Sequence, residues 1–525
     1  MIYYSPHRKA HRRWRGPPRI CRTTIAVQVL LLLTVSLVVC GLLEMADIGM
    51  GSSSVLLSSS SGQEVVGAHS GSDAQPNGGE PQKPAPPKKT YTYTYRTLGG
   101  YFLQDDPSTD AATFDFMAPE TNFGLIDRAY ESDGSLPNTG QQMTQWQRFE
   151  HHVTSLNQYA RVEDNDDDDE TPEDGEADKK ERRRRHSQPH SLPGTRYFVF
   201  FLGRHGNGYH NIAERYYGST AWDCHFSALD GDPDGVMTWA DAALSLEGKR
   251  QARQVNSFWK TQTAAAVQGG SGQNMRPPDV YLVSPLDRTL ETAQLSFEGV
   301  GPPEATTMMM MVMEKAREGT GIHTCDRRGT VSSIRARYPS YNVDADPFLT
   351  EADEFWTPDR REPAAALDKR LRGFFDDLMS NPEILGAGKE SVSVTSHSGA
   401  IAAMLRILGH RPFGLGTGAV IPLLVEVRRT SLDDDDGDKM LLGRRHGGSG
   451  EGANHEDPTL DLPDAGDGSA PSSVDPDDRS KWATIPSCPA DLDLATVGQK
   501  RWGMGLKEFL AGVEDGTLNM EAVPF

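Results

Sequence analysis

Cysteine is scarce in this chain. Of 525 residues only Cys21, Cys40, Cys224, Cys325 and Cys488 carry a thiol. The first two lie in or beside an apolar run. The other three allow at most one intramolecular disulfide, and no spacing demands it. A clear metal-ligand pattern is missing too. His323, Cys325 and Asp326 cluster in sequence but lack a second matching pair, so they read as a loop packed beside a pocket, not as a metal centre. No Asn-x-Ser/Thr acceptor occurs anywhere, which excludes ordinary N-glycosylation. Hydrophobic residues are only 37% of the chain. The long polar, repetitive stretches cannot bury enough surface to offset their ordering entropy. The length therefore resolves into one folded domain with an anchor and disordered segments, although two or three domains would fit by count alone.

The net charge of −21 is mostly carried by two inserts. Residues 163–193 hold 12 acidic and 6 basic side chains, and residues 433–479 hold 14 and 4. Such blocks are normally disordered, and their acidity does not argue against an anionic ligand in a local cationic pocket. The run Arg182 to Arg185 has acids beside it and no interleaved aromatic residues, so it reads as a solvated loop and nucleic acid is not expected as a partner.

One long apolar run stands out. Thr23 to Leu43 contains no charge and follows seven basic residues, Arg8 to Arg22. Its length suits one transmembrane helix, and the basic flank should stay cytoplasmic. A cleaved signal has a shorter apolar region, and no clear small-x-small site follows at once. The rest of the chain is then expected in the lumen or outside the cell, held off by a Ser-, Gly- and Pro-rich stalk over residues 46–90. The folded region is expected over 91–430, interrupted at 163–193, with an acidic low-complexity stretch over 431–480 and a C-terminal segment over 481–525.

The organising stretch is Tyr197 to Asn211, an aromatic strand-like run that breaks into Gly203-Arg204-His205-Gly206-Asn207-Gly208. A strand ending in a glycine-containing turn places side chains at the carboxyl edge of a sheet, where ligands bind in open α/β folds. Arg204 offers a forked cation suited to phosphate oxygens, and His205 a nucleophilic nitrogen. Two further strand-like runs end in similar equipment: Val280 to Val283 leads to Ser284 and Arg288, and Ser391 to Ser396 leads to His397. Met308 to Met313 leads to Arg317-Glu318-Gly319. Strands alternating with helical patterns over 245–259, 288–297 and 398–408, then a last strand over 421–427, predict an α/β three-layer sandwich with a mostly parallel central sheet.

These segments resemble the histidine phosphatase superfamily, the phosphoglycerate-mutase-like fold, in a eukaryotic branch typified by yeast phosphomutase-like proteins. The resemblance rests on Phe102 to Asp110, Gly203 to Asn211, Ala221 to Cys224, Gly321 to Arg328 and Leu408 to Phe413. It runs in order from about residue 93 to 427 with one insert. It implies that His205 attacks phosphorus and becomes a phosphohistidine, that Arg204, Asn211, Arg288 and His397 hold the phosphate oxygens, and that Glu318 protonates the leaving group. It implies no metal and no cofactor. Asn211 can also cap the following helix. Arg317, Arg327 and Arg328 either guide substrate or pair with acids, and His210, His323 and His410 read as support. A hydrolase of small phosphate monoesters is the first functional expectation. A mutase is the second, but the loop Arg-Glu-Gly-Thr-Gly departs from the Glu-Arg-x-Tyr-Gly pattern of glycolytic mutases. A catalytically silent phosphate-binding module is the third.

Overall fold

The computed structural model describes residues 91–118, 121–136, 143–166, 194–265, 272–301, 309–431 and 478–518. The predicted span Thr23–Leu43, the stalk and most of both acidic inserts lie outside the described residues. Among the described residues no helix is long and apolar enough to cross a membrane.

Six strands form one sheet: β1 (Tyr91–Thr97), β2 (Thr195–Arg204), β3 (Val280–Val283), β4 (Met310–Val312), β5 (Ser391–Ser396) and β6 (Val420–Ser431). The principal helices are α1 (Gln145–Asp166), α2 (Tyr209–Tyr217), α3 (Ser219–Cys224), α4 (Leu246–Thr263), α5 (Asp287–Phe297), α6 (Val331–Arg337), α7 (Ala364–Ser380), α8 (Ser398–Ile407), α9 (Val497–Trp502) and α10 (Leu506–Glu514).

The aromatic run of β2 explains the layering. Phe198, Phe200 and Leu202 fall in one core with Leu371, Phe374 and Phe375 of α7 and Ile401 and Met404 of α8. The alternate residues Tyr197, Val199 and Phe201 fall in a second core with Trp146, Phe149, Val255, Trp259 and Leu290 from α1, α4 and α5. A strand with both faces apolar needs a helical layer on each side, and each such side chain contributes roughly 1.5–3 kcal/mol when fully buried. Phe201 meets the rings of Phe123 and Trp259 at centroid distances of 5.5 and 5.1 Å. That contact ties the segment before the insert to the centre of the fold.

Strand order is β1-β6-β2-β5-β3-β4. The pairings β2–β5, β5–β3 and β3–β4 are parallel, while β6 runs against both β2 and β1. The sheet is therefore mixed, and the largely parallel expectation holds only for its functional half. β1 was not expected as a strand, although Tyr-Thr-Tyr-Thr-Tyr alternates with period two. It pairs with β6 from Tyr91↔Ser431 to Thr97↔Val425, which is why β6 continues through Arg428, Arg429 and Thr430 beyond the apolar residues that mark it in sequence.

A third, smaller core joins α2 and α3 to the C-terminal helices. It contains Ile212, Tyr216, Trp222, Trp239, Phe509 and Val513. Cys224 and Cys488 form a disulfide across a separation of 264 residues, the one bridge that the three cysteines after the apolar run permit among themselves. Cys325 is free and buried.

Candidate active site

Parallel pairing brings the predicted residues to one edge. Arg204 of β2 lies opposite Ser396 of β5, and Val283 of β3 opposite Thr395. His205 and His397, each one residue further on, leave the sheet at the same level, and Ser284 follows Val283 level with Ser396. The rings of His205 and His397 are 5.1 Å apart, and those of His205 and His210 are 5.3 Å apart.

The loop after β2 is held from all sides by its neighbours. The backbone N–H of Arg204 donates to Ala419, that of His205 to Ser396, and the carbonyl of His205 accepts from Gly418 N–H. Gly206 lies so close to the first turn of α4 that a Cβ there would stand 2.5 Å from the Gly248 carbonyl oxygen, and one on Gly248 would stand 2.0 Å from that of Asn207. Only glycine fits at either position. Ser245 caps α4 by accepting from Gly248 N–H at 3.1 Å and donates to Asn207 Oδ1 at 2.8 Å, so the cap of the helix is also a strut for the loop.

His205 is 2% exposed. Its Nδ1 lies 2.7 Å from the Gly206 carbonyl oxygen. A carbonyl only accepts, so Nδ1 carries the proton and Nε2 carries the lone pair. Burial holds the imidazole well below its ordinary pKa, and the charges of Arg288 and Arg204 push the same way. His397 is wholly buried and neutral for the same reasons, burial first and Arg288 next. Its Nε2 is 2.8 Å from Ser284 Oγ, and its Nδ1 has no hydrogen-bond partner among the described residues.

Arg204 donates through Nη1 to the Leu415 carbonyl at 2.7 Å. Arg288, 1% exposed, donates through Nη1 to the Cys325 carbonyl and through Nη2 to Asp326 Oδ1 at 2.8 Å. The Nε atoms of both arginines are buried and have no partner among the described residues. Thr292, one turn after Arg288, donates to the Arg288 carbonyl at 2.6 Å and accepts from Gly206 N–H at 3.0 Å. It thereby joins the arginine helix to the histidine loop.

Glu318 reaches the first turn of α8. Its Oε2 accepts from Gly399 N–H at 2.8 Å and its Oε1 from Gly319 N–H at 2.9 Å. A Cβ on residue 399 would stand 2.4 Å from Glu318 Oε1, so the glycine two residues after His397 makes room for this carboxylate. Asn211 accepts through Oδ1 from Gly208 N–H at 3.0 Å, the capping contact expected of it. That bond leaves the Asn211 amide nitrogen available to an anion.

The other candidates separate clearly. Arg317 pairs with Glu314 and Asp353, and Arg328 with Glu314. Arg327 pairs with the exposed Asp230. All three serve acids within the protein. His410 donates through Nδ1 to the Arg411 carbonyl while its Nε2 lies 3.5 Å from Asp105 Oδ1, and His323 is lowered to about 4, first by burial and then by Arg361. The ligand atoms of His323, Cys325 and Asp326 do lie within 4.8 Å of one another, but both oxygens of Asp326 are already taken by arginines, Oδ1 by Arg288 and Oδ2 by Arg361. From sequence, Ser284, Thr292, Arg361 and Gly399 carry no assigned role, and Asp326 figures only in the His323-Cys325-Asp326 cluster that reads as a loop beside a pocket. Ser284 and Thr292 stand in the Arg288 motif, and Asp326 in the Cys-Asp-Arg-Arg run, but nothing local shows what they touch. A cavity of about 440 Å³ opens beside this site between Tyr209, Met237, Asp241, Asp287, Ile334 and Tyr338, and none of the six predicted residues lines it.

An α/β sandwich that gathers two guanidinium groups, two neutral imidazoles and a carboxylate at the parallel strand ends is suited to handling phosphate. Residues 232–424 match the histidine phosphatase superfamily (branch 1). The match begins after the Arg204–His205 loop, so that loop rests on its geometry. The chain is 38% identical over 349 residues to a probable phosphoglycerate mutase of Arthroderma benhamiae, covering 66% of this chain and 89% of that protein. It is 35% identical over 263 residues to a probable phosphoglycerate mutase of Saccharomyces cerevisiae, covering 47% and 85%. A phosphoglycerate mutase structure from Bacillus anthracis covers 44% of this chain and 89% of its own, at 16% identity and a TM-score of 0.27, too loose a superposition to carry an argument. The chain belongs to the histidine phosphatase superfamily.

Proposed function

We propose that this protein is a metal-independent phosphomonoester hydrolase that works through a phosphohistidine on His205. The observation that carries the reading is the donation of Nδ1–H to Gly206, which leaves the Nε2 lone pair of a buried, neutral imidazole beside two arginines whose Nε–H groups have no partner among the described residues. Nε2 attacks phosphorus while Arg204, Arg288, His397 and the Asn211 amide take the equatorial oxygens. The ester P–O bond breaks, and Glu318 gives its proton to the leaving oxygen. Glu318 must release one of its two backbone contacts to do so. Water then attacks phosphorus, Glu318 takes its proton, the P–N bond breaks and inorganic phosphate leaves.

The names of the relatives favour a second reading, a mutase. The Arg-Glu-Gly-Thr-Gly loop, which departs from the glycolytic mutase pattern, supports hydrolysis instead. The test is the full-length chain incubated separately with p-nitrophenyl phosphate and with 3-phosphoglycerate plus its bisphosphate primer. Phosphate release without primer is expected. Primer-dependent isomerisation with negligible phosphate release would establish the mutase, and no turnover of either would leave a silent binding module.

The substrate side of the protein is assigned to the lumen or the cell exterior, anchored by the Thr23–Leu43 span. The Cys224–Cys488 disulfide supports that placement, because structural disulfides persist in oxidising compartments. Protease digestion of sealed microsomes tests it: a carboxyl-terminal tag that is cut while the amino-terminal tag survives would reverse the orientation.

A further inference from the structure

Asp326 divides its carboxylate between two arginines. Oδ1 accepts from Arg288 Nη2 and Oδ2 from Arg361 Nη1, each at 2.8 Å. The acid is 3% exposed in its side chain, and so is nearly as deep as Arg288. The neighbouring Cys325 carbonyl takes the other terminal nitrogen of Arg288. Two consecutive residues of one short turn therefore grip both arms of the guanidinium fork. A planar fork held at both arms has no freedom to rotate about its own axis. The only part of the group left without a partner among the described residues is Nε.

Arg361 brings the same acid into contact with the carboxylate loop. Its Nη1 also donates to the Gly321 carbonyl at 3.0 Å, and its Nη2 would stand 3.6 Å from a Cβ on Gly319, the residue after Glu318. Its side chain is 27% exposed, and its own backbone N–H donates to Ala483 of the C-terminal segment. One carboxylate thus links the phosphate-binding arginine to the loop of the proton donor.

We propose that Asp326 is a positioning residue that sets the orientation of Arg288 for the transferred phosphate, with Arg361 as its outer anchor. The inference rests on the hydrolase reading above. A purely structural salt bridge is the competing account, and a buried pair is by itself weak evidence for stability. The two accounts differ in whether the effect of Asp326 passes through Arg288.

The experiment is a double-mutant cycle on the full-length chain, read on turnover of p-nitrophenyl phosphate and on calorimetric affinity for inorganic phosphate. Asp326→Asn keeps the shape and one acceptor but removes the charge. It should lower kcat/KM about 10- to 100-fold and weaken phosphate binding about tenfold. In an Arg288→Ala background the same change should weaken phosphate binding by less than about twofold further, because its target is gone. Arg361→Gln should weaken phosphate binding about threefold in the parent chain and have no effect in the Arg288→Ala background. Phosphate affinity unchanged in Asp326→Asn, or losses that multiply in the double variants, would overturn the proposal. If Asp326→Asn does not fold, the Arg361→Gln pair decides the question alone. A parent chain that neither hydrolyses the ester nor binds phosphate would refute the hydrolase reading itself, whereas an active parent with an indifferent Asp326→Asn refutes only the positioning role.

Discussion

Two buried charge clusters lie within one stretch of this protein, and they are built to opposite ends. In the first, Arg317 and Arg328 meet Glu314 and Asp353, with all four side chains 7% exposed or less. Two cations face two anions, and Arg328 also donates to the carbonyls of Gly329, Thr350, Glu351 and Ala352. The second cluster has Arg204, Arg288 and Arg361 against Asp326 and Glu318, with the nearby imidazoles neutral. Of the described acids around it, Arg288 pairs directly with Asp326 alone, which it shares with Arg361, while Glu318 and Glu214 lie near Arg204. Arg288 and Arg317 are equally buried at 1% exposure, so depth does not tell them apart. The difference is that Arg317 holds both oxygens of Asp353 and one of Glu314, whose other oxygen serves Arg328, while Arg288 holds one oxygen of Asp326. Removing an arginine matched by carboxylates leaves buried acids uncompensated; one given a single carboxylate oxygen keeps charge for a dianion.

Truncating each arginine in turn should separate the two clusters most clearly. Arg288→Ala should cut kcat/KM by about 10²–10³-fold, the usual cost of one transition-state donor, at modest cost in stability. Arg317→Ala leaves Glu314 and Asp353 buried and uncompensated, and should cost about 3–5 kcal/mol in urea unfolding. If Arg317→Ala proved stable and inactive, the two clusters would not be separable in this way.

Gly399→Ala should give a smaller and more selective lesion. The new methyl group collides with the far end of the Glu318 side chain, which can swing aside, so the fold survives while the carboxylate is displaced. Turnover of alkyl phosphates should drop about 10²-fold and that of nitrophenyl phosphate much less, since an activated leaving group needs little protonation. Equal losses on both would remove Glu318 from the chemistry.

Acid should weaken the fold through the second cluster. His205, His210 and His397 all lie well below their ordinary value of 6.5, from burial first and Arg288 next. As pH falls through 6.5 the unfolded chain takes a proton on each and the folded chain does not, so stability is present above that value and is lost toward the lower folded values. The loss is at most about 1.4 kcal/mol per pH unit for each imidazole. Calorimetric Tm between pH 7.5 and 5.5 should fall, and more gently in His210→Asn; an equal slope in that variant would contradict the account. The smallest effect is expected at Arg327, whose partner Asp230 is 65% exposed. Arg327→Ala should change stability by less than about 1 kcal/mol and leave turnover intact. A large loss of turnover would make it a substrate contact.

Much of this was legible in the chain. The aromatic alternation of β2 announces a strand covered on both faces, and the motifs after β2, β3 and β5 place Arg204, His205, Arg288 and His397 at one edge because parallel strands share a direction. The Tyr-Thr alternation of β1 is equally plain, but a short polar-aromatic run has no sheet to join until β6 lies beside it. The reversal of β6 left no mark either, since an apolar strand reads the same in both directions. What the sequence could not show was allocation: that Arg317 would spend its charge on Glu314 and Asp353, that Asp326 would be shared, that Ser284 would sit against His397, or that Cys224 would find Cys488. Each depends on contacts between residues distant along the chain.

The proposed hydrolysis stands on His205 as the group that receives the phosphoryl. The full-length chain and its His205→Ala variant should be mixed with a radiolabelled aryl phosphate, quenched within the first turnover and digested. An acid-labile, base-stable label is expected on the peptide carrying His205 and none in the variant, which should also lack turnover. Near-normal turnover in His205→Ala, or a label that persists on another residue, would contradict that role.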